Sequence, residues 1–451
     1  MSANDLYELD RQHLVHPVSA WATQEAEGPL VLDRGSGLTV KDHTGREYLD
    51  GFAGLWCVNV GYGQKTVVEA MNAQAEKLAY VTGYFGFASE TAIRLAARLA
   101  ELTPGDLDHI YLTQGGSDSV DSAVRLIRYY WSMKGEPQRE HMIALEYGYH
   151  GSSSTGAGLT ALANFHRGFA LPLATQHHIE APYPYRHRTG LDADVIADCE
   201  AALRAKVAEL GADKVAAFFC EPVIGSGGVI VPPKGWLKAM EKTCRELGIL
   251  FVVDEVITGF GRTASMFACD HEDVVPDMMT MAKGLTSGYA PMGALAISDR
   301  IYREIRDLTP DGKAIGHGAT YSGHPVAAAA ALEVIRLYTD GGILSQAQKI
   351  APYFEARLRT LADHPLVGDI RISGLLAGIE LVSDRETRAK FAPELKVGKK
   401  LLGLTRDLKL LVRCFDDGII GLAPALTITP EEVDLIVERL RNAFDALMLQ
   451  V

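Results

Sequence analysis

The sequence predicts an α/β protein with a large, mostly parallel wound sheet and a smaller α+β part built from both chain ends. Short apolar runs typical of buried strands alternate with segments of helical periodicity through the middle of the chain. Polar, glycine or aromatic residues follow directly after these runs, as expected where the carboxyl ends of parallel strands bind a ligand. The predicted strands of this kind are Ile110–Thr113, His141–Leu145, Val215–Cys220 and Leu250–Val253.

The length of 451 residues is more than one hydrophobic core usually covers, which predicts two domains. We expect an N-terminal arm and part of a small domain in residues 1–62, a large ligand-binding domain in 63–325, and the rest of the small domain in 326–451. The content of 47% hydrophobic and 22% charged residues is that of globular proteins. A net charge of −13 disfavours nucleic acids and anionic membranes as partners, because no basic surface attracts their phosphates.

The six cysteines are scattered without a C-x-x-C pair, which predicts neither a disulfide framework nor a zinc site. No other metal site is expected. The polar, acidic N-terminus does not resemble a signal peptide, and no apolar stretch is long enough to span a membrane. We therefore expect a cytoplasmic protein.

The N-terminal part combines a mixed, aromatic arm with a predicted β-hairpin. Leu38–Asp42 and Glu47–Asp50 alternate in polarity and flank a glycine-containing turn, which favours two antiparallel strands. The loop Phe52–Gly63 is rich in glycine and aromatic residues and contains Trp56. Taken alone, this tryptophan is more typical of a core than of a site wall. Helical spacing then covers Thr66–Leu78.

A glycine turn follows the strand that ends at Thr113, and helical periodicity begins just beyond it. Such a turn exposes free N–H groups and the positive end of the helix dipole, and both favour a phosphate. Gly115 and Gly116 permit close approach of the backbone, and Ser117 adds a hydroxyl group. An ordinary capped helix start would explain the same residues, so the turn predicts a phosphate site only together with other groups.

Lys283 and Asp254 are the two residues around which the predicted site is organised. The run Leu250–Val253 ends at Asp254, and side-chain alternation places Val256 on the same face. A second apolar run, Pro276–Ala282, ends at Lys283. A lysine amine is a nucleophile when it is desolvated, whereas an isolated strand-end lysine is more often an ion-pair partner. Together the residues suit pyridoxal 5′-phosphate (PLP), since the carboxylate holds the pyridine proton and the lysine forms the imine.

Two more strand ends carry residues that suit the same ligand. Tyr149 follows the strand His141–Leu145, and an aromatic side chain there can stack on a flat heterocycle. His150 is either a group that supports the site or an ordinary loop histidine. Glu221 follows Val215–Cys220 and, taken alone, reads as a structural carboxylate.

These motifs resemble the class III aminotransferases of the fold-type-I PLP enzymes along nearly the whole chain. The resemblance rests on Asp254-Glu255-Val256 with Gly259-Phe260-Gly261-Arg262, on Ala282-Lys283-Gly284, and on Thr320-Tyr321-Ser322-Gly323-His324-Pro325. The segment Gly54–Gly63 is most similar to that of the amine:pyruvate, or ω-, transaminases. The resemblance implies the fold-type-I fold, PLP as the cofactor of the large domain, and amino-group transfer as the reaction.

The resemblance also implies the roles of individual cofactor residues. Asp254 contacts the pyridine nitrogen, Val256 packs one ring face and Tyr149 lies over the ring. Glu221 lies near the cofactor hydroxyl and helps to order the site, and both interpretations of His150 stay open. The phosphate is held by Gly115, Gly116 and Ser117, although many members have serine where Gly115 stands, and by Thr320 from the other subunit of an obligate dimer.

The substrate pocket that the resemblance implies is shared between two subunits. Trp56 becomes a pocket wall, and Arg413 binds the carboxylate of a keto acid and swings out for an amine. A surface arginine paired with Asp416 is the alternative for Arg413. In the family the aromatic loop Val81–Phe87 lines the pocket of the neighbouring subunit, and simple interface packing is the alternative for this loop. A homodimer is expected, and a tetramer is left open. The candidate substrate residues are Trp56, Tyr84, Phe85, Phe87, Tyr149 and Arg413.

The expected reaction is ping-pong transfer of an amino group from a primary amine or ω-amino acid to a keto acid such as pyruvate, with Lys283 as general base. An aminomutase or a decarboxylating transaminase on the same scaffold is the nearest alternative. A phosphate-binding α/β protein without PLP would use the Gly115–Gly116 turn, but it lacks a Walker or G-x-G-x-x-G match and leaves Asp254 and Lys283 without a role. The intact lysine–aspartate pair argues against a non-catalytic PLP carrier.

Overall fold

The computed structural model describes residues 3–451 of the chain, and these residues contain 15 strands and 15 α-helices. The strands are β1 (Leu32–Ser36), β2 (Thr39–Asp42), β3 (Glu47–Asp50), β4 (His109–Thr113), β5 (His141–Leu145), β6 (Gln176–Ile179), β7 (Val215–Cys220), β8 (Leu250–Asp254), β9 (Met278–Met281), β10 (Gly293–Ile297), β11 (Val367–Ser373), β12 (Leu376–Leu381), β13 (Leu410–Leu411), β14 (Arg413–Cys414) and β15 (Ile419–Leu422).

The helices alternate with the strands through the middle of the chain, as the sequence predicts. They are α1 (Ala3–His13), α2 (Trp21–Glu27), α3 (Ala53–Trp56), α4 (Lys65–Lys77), α5 (Glu90–Ala100), α6 (Gly116–Met133), α7 (Ser154–Leu159), α8 (Ala163–His166), α9 (Val195–Leu210), α10 (Trp236–Leu247), α11 (Asp299–Leu308), α12 (Pro325–Tyr338), α13 (Ile343–Arg359), α14 (Val397–Asp407) and α15 (Pro430–Met448).

A seven-stranded sheet forms the centre of the molecule, in the order β4-β10-β9-β8-β7-β5-β6. Strands β5 to β9 pair in parallel, and β10 runs antiparallel to both β9 and β4. The prediction of a mostly parallel wound sheet is confirmed, and β10 is an antiparallel member that the sequence does not predict. Every residue of β7 and β8 is buried, because helices cover both sheet faces.

The parallel pairing decides which residues meet at the carboxyl edge of this sheet. Asp254 at the end of β8 lies opposite Thr280 of β9. Helix α10 delivers the chain into β8 through Gly248, a left-handed C-cap with φ 66° and ψ 31°. Asp254 and the turn after β9, which holds Lys283, therefore become neighbours at the edge where ligands bind in wound sheets.

Two smaller sheets flank the central one. The first has the order β1-β2-β3-β13, so a strand near the C-terminus extends the N-terminal hairpin. The second is antiparallel, in the order β11-β12-β15-β14. The predicted hairpin at Leu38–Asp50 is confirmed as β2 and β3. Helix α12 begins at Pro325, where a proline is favoured, and its alanine-rich surface packs against α4 and α5.

Residues 3–451 contain no helix that is both long and apolar enough to cross a membrane. The six cysteines are all free thiols. In the same described range, no three histidine, cysteine, aspartate or glutamate side chains are grouped so that they could hold a metal ion.

Candidate active site

A cavity of about 150 Å³ lies at the carboxyl ends of the central strands, between the start of α6 and the turn after β9. It gathers eight of the residues that the sequence singles out from five separate segments of the chain. Gly151 and Ile257 also line it, and the sequence reasoning missed both, although each adjoins a motif that it used. The lining residues are Gly116, Ser117, Tyr149, His150, Gly151, Glu221, Asp254, Val256, Ile257 and Lys283.

Lys283 enters this cavity from a tight turn. It follows β9 directly, opens a short 3-10 helix and has a positive φ of 42°. Burial lowers the pKa of its ammonium group, although nearby Cys57, Asp254 and Glu221 favour the charged form. Its Nζ lies 5.9 Å from the ring centre of Trp56. A lysine whose amine is easily deprotonated suits both covalent attachment and proton transfer.

The turn that carries Lys283 is fixed from both sides by hydrogen bonds. The Tyr338 hydroxyl on α12 donates to the Gly284 carbonyl oxygen at 2.6 Å. The Val60 amide donates to the Ser287 hydroxyl oxygen at 3.0 Å. These bonds tie the lysine turn to a helix and to the loop that holds Trp56, so the amine is held in a defined place.

Asp254 is paired with a buried histidine. The Oδ2 atom of Asp254 lies 2.8 Å from Nδ1 of His150, and its Oδ1 accepts the Val256 amide at 3.1 Å. Burial disfavours a charged His150, but the hydrogen bond and charge of Asp254, with the charge of Glu221, outweigh it and raise the histidine pKa. Of the two sequence interpretations of His150, the contact with Asp254 favours the supporting group.

Glu221 holds the backbone of the tyrosine segment. Its two carboxylate oxygens accept the amides of Tyr149 at 2.9 Å and Gly225 at 3.0 Å. Burial and the charge of Asp254 raise the Glu221 pKa to about 7, against the effects of His150 and the two amides. Glu221 therefore has a structural role, because its carboxylate positions the backbone of Tyr149, and it also lines the cavity.

The start of α6 has the close packing that a phosphate-binding turn needs. A Cβ on Gly116 would stand 3.0 Å from Cγ1 of Val256, and a Cβ on Gly151 would stand 2.7 Å from the Ser117 oxygen. Gly115 precedes the helix as its cap residue. The Ser152 amide donates to the Ser117 hydroxyl oxygen at 3.1 Å, which fixes this side chain beside the free helix amides.

Trp56 and Arg413 both lie close to Gly421. A Cβ on this glycine would lie 3.4 Å from the Trp56 ring and 3.5 Å from the Cβ of Arg413. Trp56 is 1% exposed and packs with Val223, Val229 and Ile257, as expected of a core residue, and Ile257 in turn lines the cavity. Its indole N–H has no hydrogen-bond partner among the described residues.

The guanidinium group of Arg413 is exposed and lies 4.9 Å from the ring centre of Phe415. The alternative pairing with Asp416 is not formed in the part of the chain that the structure describes. An aromatic ring under an unpaired guanidinium leaves its hydrogen-bonding edge free for an anion.

Seven predicted site residues do not line this cavity. Gly115, Trp56 and Arg413 are the three described above, and the other four are exposed on the surface of the chain. Tyr84, Phe85 and Phe87 are 39%, 89% and 58% exposed. Thr320 is exposed on a neighbouring loop, where its carbonyl oxygen accepts the Tyr80 hydroxyl at 3.0 Å. The single chain therefore places these four residues together on its surface.

The sequence as a whole matches one protein family. The family model for class III aminotransferases aligns with residues 20–444. This chain belongs to the class III aminotransferases. The cofactor of this class is PLP, and a solved structural neighbour, the omega-transaminase from Pseudomonas jessenii, contains the related PMP. That neighbour is 33% identical, with a TM-score of 0.96 over 98% of each chain.

Two further relatives of the aminotransferase are close over nearly its full length. A putrescine–pyruvate aminotransferase from Pseudomonas aeruginosa is 37% identical and covers 97% of this chain and 95% of its own. An (S)-enantioselective omega-transaminase from Thermomicrobium roseum is 41% identical, with a TM-score of 0.96 and 99% of both chains covered. The fold-type-I architecture that the sequence predicts is confirmed by these neighbours.

The cavity residues fit PLP on the chemistry of each group. The free amides at the start of α6 and the Ser117 hydroxyl suit the phosphate, and the tight Gly116–Val256 contact leaves no room for a larger side chain there. The Asp254–His150 pair suits a protonated pyridine nitrogen, and Lys283 suits the aldehyde carbon.

Proposed function

We propose that this aminotransferase moves the amino group of a primary amine or ω-amino acid to a keto acid such as pyruvate. The observation that carries the proposal is the cavity in which Lys283, with its lowered pKa, shares a wall with the Asp254–His150 pair. The putrescine–pyruvate relative and the omega-transaminase neighbours support this choice of substrates.

Each cavity residue has a proposed part in the reaction. PLP, when bound, supplies the electron sink for the carbanion. Asp254, held by His150, keeps a proton on the ring nitrogen, and Tyr149 with Val256 orients the ring between them. Lys283 Nζ takes the proton from the substrate carbon and would deliver it to the cofactor carbon that is bonded to the transferred nitrogen. Gly115, Gly116 and Ser117 hold the phosphate end.

The proposed substrate pocket has an apolar wall and a single exposed cation. Trp56 contributes the wall, and the guanidinium over Phe415 contributes the cation. A keto acid would pair its carboxylate with Arg413 in a two-pronged contact. An amine without a carboxylate would instead pack its side chain on Trp56, with Arg413 turned to water. One pocket thus serves an uncharged group and an acid in alternate halves of the cycle.

We also propose a homodimer in the cytoplasm, with active sites shared between subunits. The exposed aromatic residues Tyr84, Phe85 and Phe87 and the exposed Thr320 support the shared site, since they lack a place in their own cavity. The free thiols fit a reducing compartment. The division into segments 1–62, 63–325 and 326–451 remains our proposal for the domains.

The first test is the visible absorbance of the purified, PLP-loaded enzyme. Addition of putrescine or 1-phenylethylamine should remove the band, and addition of pyruvate should restore it. Lys283→Ala should lower turnover at least about 1,000-fold, because the variant loses its general base. Lys349→Ala, an exposed position on α13, should leave turnover unchanged. A band that no amine changes, or full turnover in Lys283→Ala, would overturn the proposal.

A further inference from the structure

The loop that carries Trp56 contains a left-handed helical turn. Four consecutive residues have positive φ: Ala53 at 49°, Gly54 at 57°, Leu55 at 81° and Trp56 at 60°. The ψ angles of Gly54 and Leu55, 39° and 52°, are close to those of a left-handed helix. Three of the four residues have a side chain, for which this conformation is unfavourable. Such a turn persists only where its surroundings fix it.

Asp50 is the group that fixes the start of this turn. Its Oδ1 accepts the Phe52 amide at 3.1 Å, and its Oδ2 accepts the Gly54 amide at 2.8 Å. The Tyr62 hydroxyl donates to the same Oδ2 at 2.7 Å. Asp50 is 2% exposed, and no lysine or arginine pairs with it in the described part of the chain. Its hydrogen-bonding capacity is thus directed to the turn and to Tyr62.

The turn leads directly into the active site. The Trp56 amide closes it by donating to the Phe52 carbonyl oxygen at 2.6 Å, and the indole ring then packs beside Val223 and Ile257. Ile257 lines the cavity, and Lys283 Nζ is 5.9 Å from the ring centre of Trp56. A change in the backbone of the turn would therefore move the indole relative to the reacting lysine.

We propose that Asp50, together with Tyr62, is a positioning residue that holds the left-handed turn Ala53–Trp56 and so sets the space for the side chain of the amine. Asp50 acts through Trp56 and does not touch the substrate. This inference rests on the proposed function, in which Trp56 is a wall of the amine pocket. It assigns amine selectivity in part to a carboxylate behind that wall.

The test compares kcat/KM for a bulky amine, 1-phenylethylamine, with that for isopropylamine, using the PLP-loaded enzyme and pyruvate. Asp50→Asn replaces one acceptor oxygen by a donor, so the strained turn should relax and release Trp56. We expect the ratio of bulky to small amine to change about tenfold, mainly through KM. Tyr62→Phe, which keeps the carboxylate and both amide bonds, should shift the ratio in the same direction by less.

The chain supplies a matched control in Asp42 and Tyr48. Asp42 is 7% exposed, accepts the Thr44 and Arg46 amides at 2.9 and 3.0 Å, and accepts the Tyr48 hydroxyl at 3.2 Å. It belongs to the same hairpin but caps the turn between β2 and β3. Asp42→Asn and Tyr48→Phe should therefore lower Tm, as their counterparts do, without changing the amine ratio.

A rescue variant tests whether Asp50 acts through the turn. Leu55 is half exposed, and glycine adopts its left-handed conformation freely. Adding Leu55→Gly to Asp50→Asn should therefore return the amine ratio toward that of the wild type.

The outcomes separate this inference from the proposed function. If the wild type shows no absorbance change with amine and pyruvate, the proposed function fails. The positioning role is overturned if the wild type does respond but Asp50→Asn and Tyr62→Phe leave the ratio of kcat/KM values unchanged, like the two control variants. If Asp50→Asn does not fold, Tyr62→Phe decides the question by the same ratio.

Discussion

At the scale of the single residue, the site contains a buried histidine whose charged form is favoured by its carboxylate neighbours. His150 has its pKa raised above the ordinary 6.5 because Asp254 outweighs the cost of burial. A raised histidine pKa adds stability that is fully present below the unfolded pKa and is lost as pH rises through the folded pKa. The apoprotein should therefore lose Tm as pH rises above the ordinary histidine value of 6.5.

His150→Gln should reduce that loss and lower Tm on the acidic side, since a hydrogen bond to a charged group contributes about 1.5–3 kcal/mol. The raised pKa of Glu221 leaves part of the loss in place. The apoprotein is the form to measure, because bound cofactor brings its own charge beside Asp254. His178 is the control: it lies 3.0 Å from the Leu159 carbonyl oxygen, and burial lowers its pKa. His178→Gln should relieve a loss of Tm toward low pH instead. An unchanged pH profile in His150→Gln would contradict the assignment of this charge.

The residue scale also shows where sequence reasoning stops. Lys283 and Asp254 were predictable because each ends an apolar run, and their pairing as neighbours followed from parallel strands. The contact of His150 with Asp254 was not predictable, because the two residues are 104 positions apart. His150 lies in the loop after β5 and Asp254 ends β8, with β7 between these two strands. Only the strand order of the sheet brings them together.

At the scale of the element, the strand pair β11–β12 is joined to the central sheet by a buried ionic network. Arg371 of β11 donates to the carbonyl oxygens of Gly228 at 2.7 Å and Val229 at 3.0 Å, and to Glu380 of β12 at 2.7 Å. Val229 also packs against Trp56. The network therefore fixes both the antiparallel sheet and the loop behind the substrate wall.

Glu380 is the anion on which this network depends. It is 1% exposed and accepts bonds from Tyr183 and, at 2.6 Å, from Arg186, in addition to Arg371. Glu380→Leu should lower stability by about 3–5 kcal/mol, because it removes the buried anion shared by Arg371 and Arg186 and leaves Arg371 with the more exposed Asp369 as its carboxylate partner. Adding Arg371→Met should recover part of that loss, and Tm of the PLP-loaded enzyme measures both.

An exposed pair provides the comparison for Glu380. Glu355 and Arg359 on α13 are about half exposed and lie 2.7 Å apart. Glu355→Leu should change stability by less than about 1 kcal/mol, because water screens such pairs. Equal losses of Tm in Glu380→Leu and Glu355→Leu would show that the buried network does not hold the two sheets together.

Elements differ in how far their sequence determines them. The bounds of β5 and β7 were predicted to the residue, because continuous apolar runs between helical segments have few other uses in a wound sheet. The antiparallel β10 was missed, since an apolar run does not encode its direction. The left-handed turn at Ala53–Trp56 was missed because leucine and tryptophan do not favour that conformation, and the Asp50 contacts that impose it are tertiary.

At the scale of the whole molecule, the surface around Val81–Phe87 is the part that one chain leaves unexplained. Phe85 is 89% exposed with a positive φ of 59°, and a Cβ on Gly318 would stand 2.5 Å from the Tyr84 ring. The aromatic loop and the Thr320 loop thus pack together on the outside. The family resemblance implies that both loops contribute to the active site of the partner subunit. Neither loop lines the cavity of its own chain.

Shared sites make a specific prediction about mixed dimers. Thr320→Ala should weaken PLP retention about 10- to 100-fold, the loss of one charge-assisted hydrogen bond to phosphate, and Lys283→Ala should be inactive. In a heterodimer of the two variants, the intact Lys283 of one subunit would meet the intact Thr320 of the other. One of the two sites is then wild type in composition, and PLP retention and transaminase turnover should both return. If Thr320 instead serves the cavity of its own chain, every site of the heterodimer with an intact Lys283 still carries the alanine at position 320. Titration of the heterodimer's activity against PLP concentration would then show the same weak affinity as the Thr320→Ala homodimer.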